Sequence, residues 1–85
     1  MFTGLVETVG KVISVLPNGD VWRLDISAPQ IAEELKLGDS VAIMGACNTI
    51  IKHDSYSFSV EMMEETRNRT KLGKLKAGSP VNLER

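Results

Sequence analysis

The sequence is short of the groups that build covalent or metal-held scaffolds. Its 85 residues include one cysteine and one histidine, so no disulfide can form within the chain. One Cys and one His also cannot fill the tetrahedral ligand set of a structural zinc ion. Unpaired cysteine is typical of reducing compartments, and we expect a cytoplasmic protein without a metal site.

Excess charge, exposed aromatic rows and long apolar runs are missing too. The net charge is −1, from 10 basic and 11 acidic residues, which gives no broad footprint for nucleic acid. Three of the four aromatic residues, Trp22, Tyr56 and Phe58, occupy strand positions that we predict to face the core. No apolar run approaches the roughly 20 residues that span a bilayer, and no signal peptide is recognisable. We therefore predict neither nucleic acid nor a membrane as a partner.

What the chain does have is the two-residue alternation of β-strands. The segment at 21–27 places Trp22, Leu24 and Ile26 on one face, and 56–62 alternates in the same way. Residues 9–16 are rich in β-branched side chains and precede Asn18-Gly19, the dipeptide that favours a tight turn. These patterns predict a hairpin from about residue 4 to residue 27.

The remaining segments predict more short strands and two short helices. Strands are expected at 40–44, 46–52 and 80–84, with a break at Gly45 and a turn at 53–55. Helices are expected at 29–37, with Ile31 and Leu35 on one face, and at about 66–71. The pattern L-K-x-G-x-x-V occurs at 35–41 and again at 75–81, each time as a turn before a strand. Together these features predict one all-β domain over 1–85, a small closed antiparallel barrel of six strands.

Three single residues are candidates for chemistry. Strand alternation puts Cys47 and Thr49 on one side of their strand and Asn48 on the other. The residues alone favour Cys47 as a small buried side chain, with a ligand-facing thiol as the alternative. Ser40 is better explained as a solvated or capping residue than as a nucleophile, since no triad pattern accompanies it. His53 is expected to be an exposed turn residue.

The segment from Glu61 to Thr66 leaves a strand and enters a helix. The first turn of a helix presents unpaired backbone N–H groups, which can bind the carbonyl or anionic edge of a ligand. The alternative is simple capping, with Thr66 as the N-cap residue. Both interpretations can hold together.

Six segments in register resemble the N-terminal half of riboflavin synthase, and the resemblance covers the whole chain. They are MFTGLVE at 1–7, GDSVA at 38–42, GACNT at 45–49, MEET at 63–66, LGKLKAG at 72–78 and VNLER at 81–85. The resemblance implies a Greek-key barrel, one of two that this family carries in tandem. It also implies the family's reaction, in which one 6,7-dimethyl-8-ribityllumazine gives a four-carbon unit to another. The products are riboflavin and 5-amino-6-ribitylaminouracil, and the reaction requires no metal or redox cofactor.

The resemblance also implies a site. Ser40 and Cys47 become candidate catalytic residues, the first near the ring system and the second lining the pocket beside Thr49. The implied ligand-binding positions are Gly4, Leu5, Val6, Cys47, Asn48, Thr49, Glu61, Met62, Met63, Glu64, Glu65 and Thr66.

Two departures from the family pattern modify these expectations. Arg85 stands where the second barrel, with the family's catalytic histidine, is expected to begin, so we expect a half-site that binds ligand but turns over poorly. As an isolated domain it is expected to form a homodimer, and within a full-length enzyme a homotrimer. Asn48 replaces the family's usual leucine; it either buries a costly amide in the barrel or faces the ligand. A non-catalytic lumazine or flavin carrier is the alternative function, and a small nucleic-acid-binding barrel is the remote one.

Overall fold

Six strands form a closed antiparallel barrel in the computed structural model, which describes residues 6–69 and 71–85. The strands are β1 (Thr8–Asn18), β2 (Val21–Ser27), β3 (Ser40–Ile43), β4 (Ala46–His53), β5 (Ser57–Met63) and β6 (Pro80–Glu84). One helix, α1 (Glu64–Arg69), and two 3-10 turns (Ala32–Glu34 and Lys71–Lys74) connect them. No helix in these described ranges has the length and hydropathy of a membrane span.

The strand order around the barrel is β1-β2-β5-β4-β3-β6, and β6 pairs with β1 to close it. Strands β3, β4 and β5 follow one another as hairpins, and β2 lies beside β5, which is the Greek-key arrangement. Closure pairs every edge, because each strand has two neighbours. The predicted fold is confirmed.

The first hairpin forms where the sequence predicted it, but its turn lies one residue later. Asn18 pairs with Val21 as the last residue of β1, so the two-residue loop is Gly19-Asp20 and not Asn18-Gly19. Strand β1 is also longer than predicted, and its register shifts between Val12 and Ser14. The bulge increases the local bend that a small barrel needs.

The first predicted helix was wrong, and the second is present but begins earlier than predicted. The segment at 29–37 forms only a 3-10 turn, because the chain is already extended at Leu35 (φ −78°, ψ 153°). Ile31 and Leu35 are nevertheless both buried, as their shared face predicted. Helix α1 begins at Glu64, two residues earlier than expected, so Thr66 lies inside the helix and is not its N-cap.

The turn between β4 and β5 corrects two further predictions. Its geometry is set by Asp54, whose Oδ1 accepts hydrogen bonds from the backbone N–H groups of Tyr56 and Ser57, each at 2.8 Å. This turn keeps Tyr56 out of β5 and leaves it 71% exposed, so its predicted core position was wrong. His53 ends β4 and is half-buried, whereas an exposed turn residue was expected.

The repeated L-K-x-G-x-x-V pattern forms the same turn twice. Gly38 and Gly78 have φ of 88° and 91°, values that side chains with a Cβ rarely adopt. In each copy a backbone N–H returns to a carbonyl three residues earlier, from Asp39 to Lys36 and from Ser79 to Lys76. Each turn leads into a strand, β3 or β6, as the sequence predicted.

The inside of the barrel is a single apolar cluster. Its centre is Phe58, Leu24 and Ile26, none of which is more than 1% exposed. Trp22 is only partly buried and packs against this cluster from its margin. Burial of the cluster stabilises the fold by about 25 cal/mol for each Å² of apolar surface removed from water. Because the interior is filled, the side chains available to a ligand lie on the outer face of the barrel.

Candidate ligand-binding site

Strand β4 sends alternate side chains to opposite sides of the barrel wall. Asn48 and Ile50 point inward and are 5% and 1% exposed, while Cys47 and Thr49 are exposed on the outer face. The predicted alternation is confirmed, and the prediction that Cys47 is a small buried side chain was wrong. Its thiol is free and open to solvent.

Ser40 joins these two residues on the outer face. In the pairing of β3 with β4, Ser40 lies opposite Thr49, and Ala42 lies opposite Cys47. Directly opposed residues of antiparallel strands project to the same face, so their side chains are neighbours. The structure therefore brings together Ser40, Cys47 and Thr49, three residues that are predicted to form the site.

The segment from Glu61 to Thr66 adjoins this face from the other side. Ile50 pairs with Val60, and the residues that adjoin this pair in the two strands, Thr49 and Glu61, are both exposed. Strand β5 then ends at Met63, which is 60% exposed, and α1 begins at the next residue. We call the outer surface formed by Ser40, Cys47, Thr49, Glu61 and Met63–Thr66 the ligand face.

Two predicted ligand residues do not reach the ligand face with their side chains. Met62 is 1% exposed and lies in the core, so only its main chain remains available to a ligand. Asn48 is buried inside the barrel, where its Nδ2 donates to the carbonyl oxygen of Ala46 at 2.8 Å. Of the two alternatives for Asn48, the structure selects the hydrogen-bonded amide in the barrel.

The N-terminal positions are only partly described. Gly4 and Leu5 lie outside the described residues, and Val6 is 54% exposed. The backbone N–H of Glu7 donates to the carbonyl of Leu83 at 2.8 Å, which carries the chain alongside β6. Strand β6 lies between this segment and β3, so no contact of Val6 with Ser40, Cys47 or Thr49 follows from the pairing.

Helix α1 is attached to the barrel by contacts that sequence reasoning missed. The indole Nε1 of Trp22 donates to the carboxylate of Glu64, and the guanidinium of Arg67 lies 4.0 Å from the centre of the indole ring. Trp22 and Glu64 are 42 positions apart in the sequence, so no local pattern links them. The sequence offers only a single tryptophan and an arginine in the predicted second helix.

The outer wall also carries a concave surface towards the β4–β5 turn, which we call the second cleft. It is a cleft of about 140 Å³, and it shares no lining residue with the ligand face. At its base the Asp25 carboxylate accepts hydrogen bonds from Ser14, Ser59 and Arg23. Partial burial raises the pKa of Asp25, but donation from Ser59, Arg23 and Ser14 outweighs it and leaves the pKa below its ordinary value. Asp25 is therefore ionised at neutral pH.

The structure is a small closed barrel with hydroxyl and thiol side chains exposed together on one outer face. The model of the lumazine binding domain family matches residues 3–85. The chain therefore belongs to the lumazine-binding domain family.

Curated relatives agree with this assignment. The chain is 42% identical over 85 residues to riboflavin synthase of Actinobacillus pleuropneumoniae, and 47% identical over 88 residues to that of Schizosaccharomyces pombe. These alignments cover 100% of this chain but only 40% and 41% of the relatives. The chain thus spans about two fifths of the length of the curated relatives it matches.

Solved structures give the same result. The crystal structure of LumP complexed with 6,7-dimethyl-8-(1'-D-ribityl) lumazine superposes with a TM-score of 0.87 at 27% identity. The match covers 99% of this chain and 48% of LumP. LumP complexed with flavin mononucleotide matches equally well, and LumP complexed with riboflavin gives a TM-score of 0.85.

Proposed function

We propose that this domain binds 6,7-dimethyl-8-ribityllumazine and riboflavin on the ligand face and supplies half of a riboflavin synthase site. The observation that carries the proposal is the grouping of Ser40, Cys47 and Thr49 on one exposed face, in a chain matched throughout by the lumazine-binding family model. The position of Met63 and α1 at the border of that face supports it further.

The proposed roles follow from the chemistry of each group. The Thr49 hydroxyl and main-chain groups at Met63–Thr66 hydrogen-bond the polar edge of the ring. The Cys47 thiol lines the pocket beneath the ring, and the Ser40 hydroxyl assists addition of a nucleophile to the acceptor lumazine. Neither residue needs to act as a strong acid or base.

The reaction suits a site of this kind. The C7 methyl group of lumazine is already acidic, because the ring delocalises the carbanion that forms on deprotonation. Holding two such rings in a reactive orientation replaces a bimolecular encounter by an effectively intramolecular step, which can contribute about 7–11 kcal/mol of barrier reduction. The main contribution of the protein is therefore to orient the two rings, and the scheme requires no metal or redox cofactor.

One ligand face holds one ring, while the reaction needs two. The second ring requires another binding surface, consistent with a chain that spans about two fifths of its catalytic relatives. We propose a homodimer for the isolated domain and a homotrimer where the domain is part of a full-length enzyme. A cytoplasmic location stays a prediction.

The proposal is tested by titrating the purified chain with the lumazine and following ligand fluorescence, then incubating for hours and measuring riboflavin. Saturable one-site binding with little or no riboflavin supports the half-site. Sustained turnover supports a site assembled from two copies. Absence of binding by both lumazine and riboflavin contradicts the proposal.

A non-catalytic carrier is the second candidate. It is favoured by the similarity to LumP, which has been crystallised with lumazine, riboflavin and flavin mononucleotide. A carrier retains bound lumazine unchanged even when the chain is mixed with a separately produced C-terminal barrel of riboflavin synthase. A half-site gains turnover in the same mixture.

A further inference from the structure

We propose that Trp22 and Arg67 are positioning residues, which fix helix α1 so that Met63–Thr66 keeps its place at the border of the ligand face. We call the contact of Trp22 with Glu64 and Arg67 the indole clasp. The expected effect on ligand binding rests on the proposed function, but the effect on the order of helix α1 is measurable without any ligand.

Trp22 occupies the margin of the barrel next to the origin of α1. It pairs with Met62 across β2 and β5, and Met62 is the last core residue before the chain turns into the helix. The indole packs against the core cluster on one side. It is thus a rigid platform at the point where α1 leaves the sheet, because its neighbours in the barrel are close-packed.

Two residues of α1 contact this platform from different directions. Glu64, the first residue of the helix, accepts the indole N–H hydrogen bond, which fixes the start of the helix against the ring edge. Arg67, one turn later, places its guanidinium 4.0 Å from the ring centre, within the range of a cation–π contact. Its Nη1 also lies 3.9 Å from Glu64 Oε1, so the two residues are paired with each other as well.

The geometry of Arg67 argues for the aromatic contact as its main attachment. Its Nε is buried and has no hydrogen-bond partner among the described residues. The 3.9 Å separation from Glu64 is an ion pair at the limit of contact, and pairs of this kind on a helix surface contribute little. The planar guanidinium over the indole face is therefore the contact that holds this turn.

Helix α1 depends on such contacts for its order. It has six residues, and isolated helices shorter than about 12 residues are marginal in water. Its far end is constrained by the chain that returns below it, where a Cβ on Gly73 would lie 2.2 Å from the carbonyl oxygen of Arg67. The indole clasp and this close approach therefore restrict α1 from two sides.

That arrangement sets what a ligand meets at the border of the ligand face. Met63 is exposed and directly precedes Glu64, so any rotation of the helix start moves the Met63 side chain and the backbone groups that follow it. Loss of the clasp should therefore weaken ligand binding without removing any residue that touches the ligand. This separates a positioning role from a contact role.

The test compares Arg67→Met, Arg67→Lys and Trp22→Phe with a matched control, Lys52→Met. The Met variants each remove one charge and keep an unbranched side chain, and Lys52 lies in the second cleft, away from α1. Amide hydrogen exchange is measured on each chain without ligand, followed by the lumazine Kd. Trp22 is the only tryptophan, so its fluorescence reports the clasp directly.

We expect Arg67→Met to speed exchange of the α1 amides at least tenfold, to leave the core-strand amides unchanged, and to weaken lumazine binding about five- to tenfold. Trp22→Phe keeps a ring but loses the N–H donor, so its α1 exchange rates and lumazine Kd should lie between those of Arg67→Met and the wild type. Arg67→Lys keeps the charge and should recover part of the lost protection and affinity. Lys52→Met should have the same α1 exchange rates and lumazine Kd as the wild type. Trp22 fluorescence should shift in Arg67→Met and stay unchanged in Lys52→Met.

The inference is overturned if α1 exchange is the same in Arg67→Met and the wild type, whether or not the ligand binds. It is also overturned if α1 loosens while lumazine affinity stays unchanged. If the wild type binds no lumazine, the proposed function fails. Faster α1 exchange in Arg67→Met would then still support the statement that Trp22 and Arg67 fix helix α1.

Discussion

Replacing Asn48 by leucine should stabilise this barrel, and the size of the effect follows from the surroundings of the amide. Asn48 is 5% exposed, and its Nδ2 donates to the Ala46 carbonyl oxygen at 2.8 Å. Leucine has the same number of side-chain heavy atoms with the same branching, but its methyl groups are larger than the amide oxygen and nitrogen. The branching is therefore retained, and small shifts of the neighbouring core side chains have to take up the added volume.

The magnitude comes from two opposing contributions. Burying the leucine side chain contributes about 2 kcal/mol, and losing the amide hydrogen bond costs about 1 kcal/mol. The difference is about 1 kcal/mol in favour of the variant, which raises the melting temperature of a domain of this size by about 4–8 °C. In urea, with a slope near 1 kcal/mol per M, the midpoint should rise by about 1 M.

The assay is urea unfolding of wild type, Asn48→Leu and Asn48→Ala, followed by Trp22 fluorescence. Asn48→Ala loses the hydrogen bond without gaining apolar contact and should be less stable than the wild type by about 1–3 kcal/mol. Because Asn48 points into the barrel, Asn48→Leu should bind lumazine with unchanged affinity. If the Asn48→Leu barrel unfolds at a lower urea concentration than the wild type, the buried amide is not a net cost to stability and the prediction is wrong.

Three further predictions concern separate parts of the molecule. The exposed thiol of Cys47 should react readily with iodoacetamide, and saturating lumazine should slow that reaction at least fivefold; equal rates with and without ligand would remove Cys47 from the site. Asp25→Asn should lower the free energy of unfolding by about 1–2 kcal/mol at pH 7. Because the folded pKa of Asp25 is lowered, its contribution is present above its unfolded pKa and is lost as pH falls through the folded value. The gap between wild-type and Asp25→Asn urea midpoints should therefore shrink as the pH falls below the ordinary pKa of aspartate and through the lowered folded pKa; a gap that stays constant in acid would contradict this. Gly73→Ala should lower the free energy of unfolding by about 1–3 kcal/mol, because its Cβ would meet the Arg67 carbonyl oxygen at 2.2 Å. An unchanged melting temperature in calorimetry would show instead that the chain shifts freely there.

Most of the barrel could be predicted from the sequence, because its strands carry strong two-residue alternation. Leu24 and Ile26 are completely buried as the pattern required, and Pro80–Glu84 has the predicted bounds. The side of β4 that carries Cys47 and Thr49 also followed from alternation. Alternation alone does not say which side is the inside, which is why the residues favoured a buried Cys47.

The misplaced elements share a physical cause, since their geometry depends on contacts far away in the sequence or on a single turn. Tyr56 continued the alternation of β5, yet the Asp54 turn holds it outside the sheet. Thr66 was a reasonable cap by residue type, but α1 begins at Glu64, whose carboxylate bonds Trp22. Contacts between such distant positions appear only once the barrel is closed.

The most direct test of the central claim is a map of backbone amide shifts of the isotopically labelled chain during titration with 6,7-dimethyl-8-ribityllumazine. We expect saturable shifts at Cys47, Thr49 and Met63–Thr66, with the amides lining the second cleft, such as Arg23 and Asp25, unchanged. Shifts concentrated at the second cleft, or none at the ligand face at saturating lumazine, would contradict it.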